Sequence, residues 1–133
     1  MQAYQPGSKL EKYFYTKLSR FISDPNHYAL VAEIDGKIVG YRLIEHRGND
    51  IYEHGLFVDP DYQGRGIGRQ LFTKPLTHAK PGDTMYLKVL QGNLRARGLY
   101  ESEGFTVTGQ STETFYGAAQ IDMSMTIDKK DIK

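Results

Sequence analysis

The sequence contains no cysteine among its 133 residues. A chain without cysteine forms no disulfide framework and no thiolate zinc site, and it cannot hold a substrate on a protein sulfur during catalysis. Long apolar runs are also missing: crossing a bilayer takes about 20 apolar residues, and no apolar stretch of the sequence is that long. The opening residues, MQAYQPGSKLEK, lack the apolar segment of a secretory signal. The sequence therefore predicts a cytoplasmic protein that does not enter a membrane.

A strong excess of charge is missing as well. The formal net charge is +1 at pH 7, and no aromatic stacking platform is interleaved with the basic residues, so we expect no nucleic-acid partner. The distribution is uneven, because residues 64–100 carry seven Lys or Arg residues and one acid, Asp83, a charge of +6, whereas the rest carries −5. Such a segment suits a small polyanion, although the solvated faces of two helices give the same pattern.

The length predicts one domain over residues 1–133, because a single hydrophobic core typically serves about 100 to 200 residues. Apolar residues at helical spacing predict a helix over residues 8–23. Two β-rich runs, HYALVAEI and KIVGYRLIEHR, are joined by Asp35-Gly36 and predict a hairpin. The run IYEHGLFV predicts a third strand.

The second half of the chain predicts further helices and strands. RQLFTKPLTHAK, residues 69–80, is helical in pattern, with Pro75 expected to kink or shorten the helix. TMYLKVL predicts a buried strand, followed by a short helix over 94–103 that Asn93 caps and Gly104 ends. Two strands are predicted near residues 105–116 and 118–127, and the final DKKDIK predicts a frayed tail.

Three glycines stand at alternate positions in DYQGRGIG, residues 61–68, where a strand gives way to a helix. A helix that starts near Gly66 directs unpaired N–H groups and the positive end of its dipole into this loop, and glycine lets an anion approach the backbone. The pattern indicates a phosphate site, with an unliganded glycine-rich loop as the alternative. Walker A is excluded because Gly-Lys-Ser/Thr is absent, and GxGxxG is excluded because Arg69 stands three residues after Gly66.

Two segments resemble the signatures of the GNAT acetyltransferases. VDPDYQGRGIGRQL resembles the acetyl-CoA signature Gln/Arg-x-x-Gly-x-Gly/Ala, here Gln63, Gly66 and Gly68. NLRARGLYESEGF resembles the second signature, and the matching residues are Asn93, Ala96, Leu99, Tyr100, Glu101, Gly104 and Phe105. The two motifs occur in the right order and spacing, and the resemblance covers the chain from about residue 8 to about residue 127.

The resemblance implies an α+β fold of three layers, with a mixed, mostly antiparallel sheet flanked by helices. GNAT chains usually begin with a strand and a helix ahead of the helix predicted at 8–23, and those elements commonly build the acceptor pocket. Three explanations for their absence are open: a shortened natural form, a start codon assigned too far downstream, or a partner subunit that fills the gap. A homodimer would also cover an exposed sheet edge or apolar face.

The resemblance also implies acetyl-CoA as co-substrate and no metal. In GNAT enzymes the pyrophosphate lies on the N–H groups of the loop, and the pantetheine arm runs beside the preceding strand. Carried over to this sequence, the donor-binding residues come from the strand end, the loop and the second signature: Phe57, Val58, Gln63, Gly64, Arg65, Gly66, Gly68, Arg69, Asn93 and Tyr100.

The implied reaction is direct transfer of acetyl to a primary amine, on a small molecule or a protein, in a ternary complex. Tyr100 is our general acid for the departing sulfur, and core packing of this tyrosine is the alternative. Strand alternation puts Tyr52 and His54 on one face. In several GNAT members the base lies four or six positions before the residue equivalent to Val58, which maps to His54 and Tyr52. Imidazole ionises near neutral pH, so the resemblance implies His54 as the first choice of base. Three alternatives stay open: His54 has a structural role, a water relay replaces a dedicated base, or Glu53 is the base.

Two further points concern function. An acyl-CoA-binding module without catalysis is the second class of function, and release of coenzyme A in the presence of amines separates it from an enzyme.

Acids in the first half of the chain, Glu33, Asp35, Glu45, Asp50 and Glu53, favour a cationic amine as acceptor without identifying it. The remaining histidines, His27, His46 and His78, are interpreted as surface residues.

Overall fold

The computed structural model describes residues 9–76 and 79–128, and for residues 9–15 it describes the backbone alone. The elements in that part of the chain are α1 (Lys9–Ile22), β1 (His27–Ile34), β2 (Lys37–Arg47), β3 (Asp50–Val58), a 3₁₀ turn (Pro60–Tyr62), α2 (Ile67–Thr73), β4 (Thr84–Leu90), α3 (Leu94–Ser102), β5 (Thr106–Phe115) and β6 (Ala118–Thr126). The first residue of the helix predicted over 8–23, and all but the first residue of the predicted tail, lie outside the described residues. None of the described helices is long and apolar enough to cross a membrane.

The strands form one mixed sheet in the order β1-β2-β3-β4-β6-β5. β1 and β2 are the predicted hairpin, antiparallel, and their turn places Asp35 and Gly36 at φ of +52° and +77°, the left-handed backbone that such tight turns require. β4 runs parallel to β3 and antiparallel to β6, which is antiparallel to β5. The expected α+β fold with a mostly antiparallel sheet is confirmed.

The chain divides into two compact units. The first holds the chain up to Glu45 together with Gly55–Lys74, and the second holds His46–His54 together with the chain from Pro75 onward. The chain passes from one unit to the other within β2 and within β3. The single domain over residues 1–133 stays a prediction.

A β-bulge in β2 organises the core of the first unit. Ala32 pairs with Gly40 and Glu33 with Ile38, so Val39 is an extra residue in β2. An extra residue reverses the alternation of side chains along a strand. Val39 therefore joins one apolar cluster, with Tyr62, Ile67 and Leu71, while the following Tyr41 and Leu43 join another, with Leu18 of α1.

The helix α2 is shorter than the sequence pattern suggested. It begins at Ile67 and ends at Thr73, so the shortening expected at Pro75 is confirmed, and the described residues after Thr73 do not continue the helical pattern of 69–80. Lys74 already has extended backbone, with ψ of 129°, because a residue before proline avoids the helical region. The early stop leaves carbonyls without helical partners.

Arg42 of β2 binds these carbonyls from within the core. Its side chain is 2% exposed, and Nη1 donates to the carbonyl oxygens of Phe72 at 3.0 Å and Leu71 at 3.4 Å. The guanidinium also lies 4.6 Å from the centre of the Phe72 ring. A buried cation at the carboxyl end of a helix complements the helix dipole, which explains how an arginine is accommodated in the buried stretch of β2 over residues 39–44.

The second unit buries one face of its strands. Met85, Leu87 and Val89 alternate along β4 and are 2 to 6% exposed. In register, Leu87 pairs with Met123 and Val89 with Ile121 of β6, so the buried residues of neighbouring strands lie side by side. The residues between them point to the opposite face of the sheet and include the exposed Tyr86.

The edge strand β5 is irregular. Its pairing with β6 shifts register between Val107 and Gly109 and again between Gln110 and Thr114. Apart from the partly buried Ser111, its residues are exposed. The strands predicted near 105–116 and 118–127 are confirmed as β5 and β6, but the shifts were not foreseen.

The close packing of Gly40 generates a stability prediction. A Cβ at this position would lie 2.9 Å from the backbone oxygen of Phe57 and 3.2 Å from Leu71 Cδ1, so we expect Gly40→Ala to lower the free energy of unfolding by about 1–3 kcal/mol. The control is Gly98→Ala in α3, where a Cβ meets nothing within 4 Å and helix propensity predicts a gain of about 0.5–1 kcal/mol. Urea unfolding measures both, and a Gly40→Ala protein as stable as the parent would contradict the packing argument.

Candidate active site

The glycine loop begins at a buried capping residue in the first unit. Asp59 is 3% exposed, its Oδ1 accepts the N–H of Asp61 at 3.0 Å, and its own N–H donates to the carbonyl of Val39 at 2.8 Å. Asp followed by Pro60 is a common start for a helical turn, since proline needs no hydrogen-bond partner for its nitrogen. The loop is thus fixed to β2 at the bulge residue.

The loop backbone leaves room for an anion. Gly64 and Gly66 have φ of +81° and +79°, and a Cβ built at either would meet nothing within 4 Å. Gly66 is the N-cap of α2 and makes no side-chain capping bond, and the N–H of Gln70 is bonded to its carbonyl at 3.0 Å. The N–H groups of the first turn, ahead of Gln70, therefore lack helical partners, and this donor set fits a diphosphate.

Cations and hydrogen bonds hold the loop beside the end of β3. The Arg65 guanidinium lies 5.0 Å from the centre of the Tyr62 ring and donates to the carbonyl of Asp61 at 3.2 Å. Lys37 Nζ lies 5.4 Å from the same ring centre. Gln63 Nε2 donates to the carbonyl of Val58 at 3.0 Å, so the signature glutamine joins the loop to the strand that precedes it.

Sequence reasoning missed Tyr62 and Lys37. Tyr62 is 1% exposed, and its hydroxyl has no hydrogen-bond partner in the described part of the chain. The contacts of Tyr62 with charged groups are made by its ring, whose faces attract the cations of Lys37 and Arg65. The signal in the sequence was an aromatic residue directly before Gln63. Nothing local pointed to Lys37, since the contact depends on how the hairpin folds back.

The other predicted donor residues of the first unit lie at the same place. Gly68 packs on Val58, since a Cβ at Gly68 would be 3.6 Å from Val58 Cγ2. Phe57 is half-buried and stacks on Tyr41 with ring centres 5.3 Å apart, so its side chain belongs to the core, and a role for its backbone in donor binding stays a prediction. Arg69 is exposed in the first turn of α2.

In the second unit the structure places Asn93 and Tyr100 on α3. Asn93 is the N-cap, and its Oδ1 accepts the N–H of Ala96 at 3.2 Å, as predicted. Tyr100 is half-buried, with its ring centre 6.0 Å from that of the buried Phe105. One side of the tyrosine thus packs in the core, and the chemical role of its hydroxyl stays a prediction.

His54 lies on an exposed part of β3 in the same unit. Its ring centre is 6.4 Å from that of Tyr52, which confirms that these two side chains share a face. Glu53, the alternative base, is half-buried, and its Oε1 is shielded from solvent. Of the two, His54 is the more exposed.

Two other histidines are not surface residues as interpreted. His27 Nε2 lies 3.6 Å from Asp24 Oδ2 and 3.7 Å from Glu45 Oε1, and the His27 side chain is 19% exposed. His46 Nε2 lies 3.6 Å from Oδ2 of the buried Asp83. Both are partly buried beside carboxylates, whereas His78 lies outside the described residues.

A cavity of about 590 Å³ in the first unit adjoins His27. Lys17, Arg20 and Asp24 contribute both signs of charge to its wall, beside the apolar Phe21 and Leu43. This mixture is typical of a surface pocket and indicates no particular ligand.

Comparisons with known proteins agree with the two signatures. Residues 1–105 match the model of the acetyltransferase (GNAT) family. Over 95 residues the chain is 40% identical to N-alpha-acetyltransferase RimI of Mycobacterium tuberculosis, covering 68% of this chain and 60% of that protein. It is 37% identical over 94 residues to the peptidyl-lysine N-acetyltransferase YjaB of Salmonella typhimurium, covering 71% and 59%. The chain thus spans about three fifths of these relatives.

Solved structures share the fold. The ribosomal-protein-S18-alanine N-acetyltransferase of Escherichia coli has a TM-score of 0.65 at 22% identity, over 89% of this chain and 77% of that one. A putative streptothricin acetyltransferase from Bacillus anthracis, solved with acetyl coenzyme A, has the same TM-score and identity over 83% and 68%. With the family model covering most of the sequence and both signatures at the predicted elements, the chain belongs to the acetyltransferase (GNAT) family.

Proposed function

We propose that this chain transfers the acetyl group of acetyl-CoA directly to a primary amine. The observation that carries the proposal is the backbone of residues 64–69, where two left-handed glycines and the open first turn of α2 form a cradle of N–H donors. Family membership supports the choice of donor, as does the acetyl coenzyme A in the Bacillus anthracis structure. The names of RimI and YjaB support an amine as acceptor.

The donor's diphosphate would be held by the loop. The N–H groups of Gly64, Arg65, Gly66, Gly68 and Arg69 are the proposed donors, and the Arg65 guanidinium, placed by Tyr62, adds positive charge. The backbone of Phe57 and Val58 would bind the pantetheine arm as an added strand binds a sheet edge. Gln63 keeps the loop in position through its bond to Val58.

The chemistry requires three proton transfers and no protein-bound acyl group, in keeping with the absence of cysteine. His54 removes a proton from the substrate ammonium, and the free amine attacks the carbonyl carbon of the thioester. As the carbon–sulfur bond breaks, Tyr100 gives its hydroxyl proton to the sulfur. As the intermediate collapses, the attacking nitrogen loses its second proton to the Tyr100 phenolate, which restores the phenol, and the imidazole releases its proton to solvent, so the products are the N-acetylated amine, coenzyme A and one proton.

His54 is the proposed base because of its setting. It is exposed, whereas the carboxyl oxygen Oε1 of Glu53 is shielded from solvent. A general base must be within reach of the proton that it removes, and an exposed imidazole meets that condition.

The glycine cradle predicts a selective loss of donor binding. An L side chain at the φ of +79° found at Gly66 costs about 1–2 kcal/mol, and 1.4 kcal/mol corresponds to about tenfold in affinity. We expect Gly66→Ala to weaken acetyl-CoA binding by about tenfold or more in calorimetric titration. Gly117→Ala is the control, because Gly117 has φ of +82° in the β5–β6 turn. Equal affinities for the two variants would contradict the cradle.

The proposed role of Tyr100 as general acid predicts that its removal lowers turnover and leaves the affinity for acetyl-CoA unchanged. Tyr100→Phe keeps the ring against Phe105 and removes the proton donor, so we expect kcat to fall by about 100-fold, the low end for general acid–base catalysis, with acetyl-CoA affinity nearly unchanged. Release of coenzyme A, followed with a thiol reagent, measures kcat, and Tyr116→Phe on the exposed turn is the control. A large loss of affinity with unchanged turnover would exclude the acid role.

A further inference from the structure

A row of three aromatic rings lies on the exposed sheet face of the second unit. We call His54, Tyr52 and Tyr86 the aromatic row. Tyr52 and Tyr86 are register partners in β3 and β4, and their rings stack with centres 5.5 Å apart and planes 23° from parallel. His54 extends the row, 6.4 Å from Tyr52. The proposed base is therefore one end of a continuous aromatic surface.

The aromatic row is outside the core. Tyr86 is 39% exposed, whereas its neighbours Met85 and Leu87 are 2% and 5% exposed, so the tyrosine points away from the packed face. His54 is exposed and Tyr52 half-buried. Packing against other described residues thus accounts for only part of the surface of these rings, and their outer faces are open to a ligand.

The charges around the aromatic row suit a cation. Asp50 precedes Tyr52 and His54 at the same alternation along β3, and its carboxylate has no ion pair with any residue whose side chain the structure describes. Lys88, two residues after Tyr86, lies 2.8 Å from Asp122 Oδ1 and 3.2 Å from Ser111 Oγ, so its charge is compensated. An uncompensated acid beside two tyrosine rings attracts an ammonium ion.

We propose that the aromatic row binds the acceptor and that the acceptor is a primary amine with a second positive charge, a diamine or polyamine. The reacting nitrogen lies at His54, which takes its proton. The second ammonium lies against the rings of Tyr52 and Tyr86, on the side of Asp50. This inference rests on the proposed function, and it names the substrate class that the site prefers.

The test compares three amines that differ only in the group at the far end of a five-carbon chain. With saturating acetyl-CoA and the full chain, coenzyme A release is measured for 1,5-diaminopentane, 1-aminopentane and 5-aminopentanoate. Counted per amino group, we expect kcat/KM for the diamine to exceed that for 1-aminopentane by about tenfold, from the attraction of an ammonium to an aromatic face. The carboxylate-bearing amine should be the poorest acceptor.

Two variants test whether the preference for the diamine arises at the aromatic row. Tyr86→Leu keeps an apolar side chain on β4 and removes a ring face, so the diamine's advantage should fall to about threefold or less through a higher KM, with kcat retained. Asp50→Asn should lower the advantage in the same direction. Tyr116→Leu, at a 95% exposed tyrosine in the β5–β6 turn, is the matched control and should keep the full preference.

The outcomes separate the two levels of the proposal. Turnover of all three amines with equal kcat/KM per amino group would overturn the diamine preference and leave acetyl transfer standing. Equal loss in Tyr86→Leu and Tyr116→Leu would also overturn it, since the effect would then not belong to the aromatic row. No release of coenzyme A with any amine, in a protein that binds acetyl-CoA, would overturn both.

Discussion

The contact of Arg42 with the end of α2 is the interaction on which the proposed donor site depends. α2 has only seven residues, and isolated helices of that length are not stable in water. The Arg42 guanidinium binds its last carbonyls, and Gly40 lets the helix lie close against β2. The start of the helix, where the glycine loop offers its N–H groups, is thereby positioned by a strand on which no donor residue was predicted.

Several elements show what the sequence could predict. The Asp35-Gly36 hairpin, the strand into Val58 and the N-cap at Asn93 follow from local rules, because turn residues and caps act within a few positions. The bulge at Val39 follows from no local signal, since it depends on how β2 satisfies two apolar clusters. A prediction from alternation alone puts Val39 and Tyr41 on the same face.

The predicted site residues divide in a similar way. The loop from Gln63 to Arg69 could be identified because glycine spacing reports backbone geometry directly. The burial of Arg42, the cation contacts of Tyr62 and the stacking of Tyr52 on Tyr86 could not, because each joins residues that are distant in the sequence. The prediction of His54 as base assumed that its side chain and that of Tyr52 lie on the same face of β3. The ring contact between them supports that assumption, while the role as base stays a prediction.

The irregular edge strand β5 has a consequence for how the molecule meets copies of itself. A straight, regularly paired edge offers unpaired backbone groups that recruit another strand and seed aggregation. The two register shifts in β5 interrupt that template, and its exposed polar side chains add a cost of desolvation to any strand that docks there. Intermolecular β-pairing is thus discouraged at this edge, and a homodimer, which stays a prediction, would need a different surface.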